Sequence, residues 1–157
     1  MSSTAMRKIF PVLCLAIAVP AQAEEGRVAG TWKLNLEQSI PPQGQTFRPF
    51  TVVIRESGAM LDFTQHTTLA NGRTHEFSHR TATDGVERDL PGMPGARVAM
   101  TRLPSGVIDA KLRFADGSLQ NKVCLLQVSL NQQVCFATIK APNGNVSFFR
   151  HVLDRVE

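Results

Sequence analysis

Apolar and polar residues alternate in short runs along most of the chain, with a period of two. Residues 107–114 show the pattern most clearly, because Asp109, Lys111 and Arg113 alternate with apolar residues. Such alternation is typical of a β-strand that buries one of its faces. No window shows a sustained helical period, so the chain is predicted to be all-β.

Turn sequences separate these runs at fairly even intervals. They are dipeptides that end in glycine, and the Asn-Gly and Asp-Gly pairs among them suit tight hairpin turns. These dipeptides begin at Ser57, Asn71, Asp84, Pro91, Ser105, Asp116 and Asn143. The spacing predicts an antiparallel up-and-down meander of about 8–10 strands, closed into a barrel because closure removes exposed sheet edges. A β-sandwich is the alternative, with the proline-rich segment 40–49 as its long connection.

The N-terminal segment Met1–Ala23 has the three parts of a cleavable signal peptide. Two basic residues precede an apolar run at 9–19, and Ala21-Gln22-Ala23 is a small-x-small cleavage sequence. The apolar run is too short to span a bilayer. We therefore expect export to the periplasm or the medium, with residues 24–157 left as a single domain.

Cleavage would change the charge of the protein as well as its length. Removing the first 23 of 157 residues leaves 134, with 15 basic and 13 acidic side chains, because the removed segment holds two basic residues and no acidic one. A chain of this size can form one hydrophobic core. No basic patch suggests nucleic acid as a partner, and no second apolar stretch suggests a membrane span after cleavage.

The sequence Gly30–Asn35, Gly-Thr-Trp-Lys-Leu-Asn, opens the first predicted strand. It resembles the first-strand Gly-x-Trp motif of the lipocalin and fatty-acid-binding-protein superfamily, and most of all that of small exported bacterial lipocalin-like proteins, a calycin-type group. The resemblance implies that Gly30 and Trp32 lie at one end of a barrel, with an arginine of the last strand across the tryptophan. That arginine is Arg150 or Arg155, which point to opposite faces, and the end-of-chain pattern favours Arg155.

Three of the four histidines are predicted to meet on one hairpin. If Asn71-Gly72 forms a two-residue turn, His66 faces Phe77, and His75 and His79 lie on the same side of the sheet. If that side is the barrel interior, this cluster could hold an anionic head group or a metal. The alternative is a solvated sheet face. We take these four residues as ligand-binding candidates and assign neither a metal nor a cofactor.

Cys124 and Cys135 remain once the signal segment is removed, and paired cysteines in an exported protein usually form a disulfide. They flank a turn region and therefore lie on adjacent antiparallel strands. Direct opposition requires a turn centred on 129–130. A turn at 131–132 would offset the two cysteines by about 13 Å along the strand, beyond the roughly 7 Å limit for a bridge. We predict the bridge, with an early turn or a bulge setting the register.

The function indicated by these patterns is binding rather than catalysis. The chain has no nucleophile elbow, no zinc-protease motif and no phosphate-binding glycine loop, so we expect no enzyme activity. A barrel of about eight or more strands can enclose a small molecule, which favours a hydrophobic or amphipathic ligand. The alternative is a structural or interaction module of the cell envelope with a packed interior. A third hypothesis, an enzyme that uses the histidine face, requires those histidines to point inward.

Overall fold

The computed structural model describes residues 28–156, and the predicted signal segment Met1–Ala23 lies outside them. The described chain forms ten β-strands in one antiparallel sheet. No helix of this part of the chain is long and apolar enough to cross a membrane. The strands are β1 Gly30–Leu34, β2 Phe50–Ser57, β3 Met60–Thr68, β4 Thr74–Ala82, β5 Arg88–Asp89, β6 Arg97–Arg102, β7 Ile108–Arg113, β8 Leu119–Gln127, β9 Gln132–Lys140 and β10 Val146–Arg155.

The sheet closes on itself through its first strand. β1 pairs with β2 on one side and with β10 on the other, so Trp32 lies between Val52 and Arg155. β4 and β5 are left as the two ends of the sheet. The segment after β4 pairs with β6, the neighbour of β5, because the Gly85 N–H donates to the Met100 carbonyl at 2.7 Å and Asp84 lies opposite Thr101. The architecture is the predicted up-and-down barrel, nearly closed, and not the alternative sandwich.

The hairpin turns differ from the two-residue turns that the Asn-Gly and Asp-Gly pairs suggested. Between β3 and β4, the Gly72 N–H donates to the Leu69 carbonyl and the Leu69 N–H donates to the Arg73 carbonyl. This is a three-residue loop, in which glycine takes the left-handed position with φ of 77°. The Asn71 side chain also accepts a hydrogen bond from the Arg73 N–H. The loop is one residue longer than predicted, so the predicted register of this hairpin is wrong by one residue.

One end of the barrel is closed around the tryptophan. Trp32 has no exposed surface, and its indole N–H donates to the Val28 carbonyl at 2.8 Å. The Arg155 guanidinium lies 4.4 Å from the ring centroid and donates to the Ala29 carbonyl at 2.9 Å. Arg150 points to the other face, where it donates to a loop carbonyl. Of the two arginines that the resemblance left open, Arg155 is therefore the one across the ring, beside the start of β1 at Gly30.

The predicted disulfide between Cys124 and Cys135 is present. The two residues are directly opposed on β8 and β9, with their Cα atoms 4.0 Å apart. The early turn makes this possible, because a short 3-10 turn at Val128–Leu130 ends in Asn131, whose φ is 52°. The bridge ties together two strands whose inner faces line the cavity described next.

Candidate ligand-binding cavity

A cavity of about 200 Å³ lies inside the barrel. Inward side chains of most of the strands form its wall, which is largely aliphatic and aromatic. The apolar lining comprises Val28, Phe50, Val52, Ile54, Leu61, Phe63, Phe77, Leu90, Met93, Met100, Ile108, Ala110, Leu112 and Leu153. Drug-sized sites typically hold about 300–1,000 Å³, so this volume indicates a compact ligand.

The most unusual residue of the cavity is a lysine on β8. Lys122 lies between Ala110 on β7 and Ala137 on β9, and these two small neighbours leave room for its long side chain inside the barrel. The side chain is half-buried and lines the cavity. Burial lowers the pKa of Lys122 from 10.5 to about 8, because the ammonium loses its hydration.

A histidine of β4 forms part of the same wall. The His79 ring stacks on Phe63, with centroids 4.8 Å apart and planes 12° apart, and it also contacts Phe77. Neither of its ring nitrogens has a hydrogen-bond partner in the described part of the chain. Burial, followed by the positive charge of Lys122, lowers the pKa of His79 to about 4. The imidazole is therefore neutral at neutral pH, with one N–H donor and one acceptor nitrogen, both buried.

A second histidine approaches from β10. His151 lies opposite Cys135 and packs among three phenylalanines, with ring centroids 4.6 Å from Phe47, 5.4 Å from Phe50 and 4.9 Å from Phe149. Its Nδ1 has no hydrogen-bond partner among residues 28–156. Burial, and then the Lys122 charge, lower the pKa of His151 to about 3. This imidazole is also neutral at neutral pH.

Three glutamines complete the polar part of the wall, namely Gln65, Gln120 and Gln133. No aspartate or glutamate lines the cavity within the described residues. The Lys122 ammonium therefore faces neutral donors and acceptors, with no carboxylate to pair with it. The interior is apolar along most of its wall and positively charged at one place.

The predicted histidine cluster is only partly assembled, because of the one-residue register shift. Phe77 and His79 line the cavity as expected for an inward face. His66 lies opposite Glu76 on the outer face, with its Nδ1 3.6 Å from the carboxylate. His75 is exposed near the turn and does not line the cavity. The prediction that all four residues share one face is wrong.

Two residues of the cavity wall, Lys122 and His151, were not predicted from the sequence. The signal for Lys122 lay in the disulfide, because Cys124 is two residues away and therefore points to the same side of β8. Once Cys135 is known to be buried, Lys122 must also face inward. Within residues 28–156, no group of three or more histidine, cysteine or acidic side chains could hold a metal ion.

Comparison with known proteins identifies the fold but no close relative. No protein-family model matches the chain, and no curated protein sequence is similar to it. Solved barrels are similar in structure. The wild-type fluorescent protein UnaG superposes with a TM-score of 0.56 at 14% identity, covering 82% of this chain and 97% of that one. Zebrafish ileal bile acid-binding protein in complex with cholic acid gives 0.50 at 11% identity, covering 82% and 98%. The fold is that of a calycin-type barrel.

Proposed function

We propose that this protein is an exported carrier that binds a small amphipathic molecule with an anionic head group. The apolar part of the ligand would occupy the aliphatic and aromatic wall, and its carboxylate would lie against Lys122. The observation that carries the proposal is the Lys122 ammonium in the cavity, which has no acidic partner on the wall formed by residues 28–156.

A bound anion would compensate the charge of the Lys122 ammonium in the cavity. An ammonium taken out of water loses several kcal/mol of hydration, and an opposite charge with good geometry offsets that loss. Residues 28–156 supply no such charge to the cavity wall. A bound carboxylate would supply it and would also accept hydrogen bonds from the neighbouring imidazoles and amides. Charge-assisted hydrogen bonds of this kind are shorter and stronger than neutral ones.

The structural neighbours support the ligand class. The zebrafish protein is named as a bile acid-binding protein and holds cholic acid, an amphipathic carboxylic acid. The cavity of about 200 Å³ suits a smaller molecule, such as a medium-chain fatty acid. The alternative of an envelope module with a packed interior receives less support, because this interior is not packed.

Export is the second part of the proposal. It is supported by the segment Met1–Ala23 and by the disulfide, since disulfides persist mainly in oxidising compartments. N-terminal sequencing of protein recovered from outside the cytoplasm should begin at Glu24. An intact Met1 on that protein would contradict cleavage.

Native mass spectrometry tests the binding function directly. Protein purified from its own host should carry added mass, and acid extraction should release a compound with a carboxylate and an apolar chain. Neutral compounds alone in the extract, at full occupancy, would contradict the proposed head group. A ligand-free protein that also binds no fatty acid in vitro would contradict the carrier function.

A further inference from the structure

We propose that Lys122 also captures small aliphatic aldehydes covalently, as an imine held inside the cavity. The inference depends on the proposed function in one respect, that the cavity admits an amphipathic molecule. Covalent capture differs from carboxylate binding in its chemistry, because forming an imine requires the neutral, nucleophilic amine of Lys122, whereas binding a carboxylate requires the ammonium. Three features of the described residues support it, and they concern the amine, its neighbours and the wall.

The first feature is the state of the amine. Lys122 makes no side-chain hydrogen bond or ion pair within residues 28–156, so nothing in the protein holds its nitrogen in the protonated form. Because burial lowers its pKa to about 8, about a tenth of the Lys122 side chains are neutral at pH 7. A lysine with the ordinary pKa of 10.5 is neutral in only about 0.03% of molecules at that pH, roughly 300-fold less. Only the neutral amine attacks a carbonyl.

The second feature is the pair of neutral imidazoles. His79 and His151 lie close enough to Lys122 for its charge to lower the pKa of each. Both nitrogens of His79 and Nδ1 of His151 are buried and make no hydrogen bond to residues 28–156. A neutral imidazole carries one N–H and one lone pair, so it can take a proton from one atom and return it to another.

The reaction needs this kind of proton transfer and no other reagent. The Nζ lone pair of Lys122 forms a bond to the aldehyde carbon, and the carbonyl π pair moves to oxygen. A proton passes from nitrogen to that oxygen to give a carbinolamine. The carbon–oxygen bond then breaks, the nitrogen forms a double bond to carbon, and its last proton leaves with the hydroxyl as water. An aldehyde and an amine become an imine and one water molecule, with no change in oxidation state.

The third feature is the apolar wall, which favours the imine over its hydrolysis. Lys122 lines a cavity whose wall is mostly aliphatic and aromatic, and such a wall limits the water that could reverse the reaction. The other lysines of the described chain, Lys33, Lys111 and Lys140, are exposed on the outside of the barrel. An imine formed at any of these lysines would be in contact with bulk water. Selective and lasting capture is therefore expected at Lys122 alone.

Reductive trapping with octanal tests this inference. Folded mature protein with its disulfide intact is treated with octanal and sodium cyanoborohydride at neutral pH, and intact mass and peptide mapping follow. Among the lysines we expect one major adduct, heavier by the mass of octanal less one oxygen atom, located on Lys122. The N-terminal α-amine, whose ordinary pKa is about 8, is labelled as well and is counted separately by peptide mapping. Its labelling rate should exceed that of an ordinary lysine by on the order of 100-fold, as the free-amine fraction dictates.

Two variants serve as matched tests. Lys122→Arg keeps a cation but cannot form the imine, so the adduct should disappear, whereas the surface variant Lys111→Arg should be labelled like the wild type. Equal labelling of the surface lysines, or no adduct on Lys122, would overturn the inference. Peptide mapping of the wild-type protein decides the question even if Lys122→Arg does not fold.

The outcome can be separated from that of the proposed function by using octanoate alongside octanal. Wild-type protein that binds octanoate but forms no adduct with octanal would refute covalent capture and leave the carrier function standing. An adduct on Lys122 in protein that does not bind octanoate would refute the anionic head group and support capture.

Discussion

Replacing Lys122 with methionine should stabilise the folded protein at neutral pH. Methionine fills a similar unbranched volume but has no charge to bury. A fall in the pKa of Lys122 from 10.5 to about 8 corresponds to about 3 kcal/mol, at 1.36 kcal/mol for each tenfold change in proton affinity. The folded wild type bears this cost, so the variant is expected to unfold with a free energy larger by up to about 3 kcal/mol near pH 7.

The pH dependence gives this prediction its specific form. The pKa of Lys122 is lower in the folded state than in the unfolded state, so between about pH 8 and pH 10.5 the unfolded chain binds more protons. The stability of the wild type should therefore rise through this window relative to the variant, and the two should converge above it. Below about pH 8 the full difference should remain.

Urea unfolding followed by circular dichroism at several pH values measures this difference. Lys111→Met is the control, because Lys111 lies on β7 and is exposed, so it should show no such convergence. If Lys122→Met were no more stable than the wild type at pH 7, with a constant difference up to pH 10.5, the lysine would not be a buried cation.

Three further outcomes are expected. Trp32→Ala should lower the free energy of unfolding by about 3–5 kcal/mol and the melting temperature by roughly 10–15 °C, because the side chain is fully buried. An unchanged melting temperature would show that Trp32 is not part of the core. Thiol titration of unfolded, non-reduced protein should find neither Cys124 nor Cys135 reactive, and two reactive thiols per mature chain would exclude the disulfide. Loss of the disulfide should lower the free energy of unfolding by roughly 2–3 kcal/mol. His66→Ala should leave the affinity for octanoate within about twofold, whereas His79→Ala should weaken it, since of these two histidines only His79 faces the cavity. The reverse order would refute the observed register.

Much of the fold could be predicted from the sequence because its signals are local. Alternation such as that of residues 107–114 defines a strand without knowledge of its neighbours. Glycine after a polar residue marks a turn, and closure into a barrel follows from the need to remove sheet edges. The opening around Trp32 then identified the barrel type, and the pairing of Trp32 with Arg155 agrees with what the resemblance implied.

The site was harder to predict because it depends on register, which a single residue can change. The Asn71-Gly72 pair occurs in both two-residue and three-residue loops, and the choice between them decides which side His66 occupies. Strand β8 was misleading in another way. Its apolar residues Leu119, Val123 and Leu125 point outward, while Lys122 points inward, contrary to the usual rule.

Competitive titration with octanoate and 1-octanol tests the central claim most directly, that Lys122 gives the cavity a preference for an amphipathic anion. The two ligands share an apolar chain and differ in the charge of the head group. Wild-type protein should bind octanoate about 10- to 100-fold more tightly than 1-octanol near pH 7, because a charge-assisted hydrogen bond contributes about 1.5–3 kcal/mol. Lys122→Met should abolish that preference. Equal affinity of the wild type for the two ligands, or an unchanged preference in Lys122→Met, would contradict the claim.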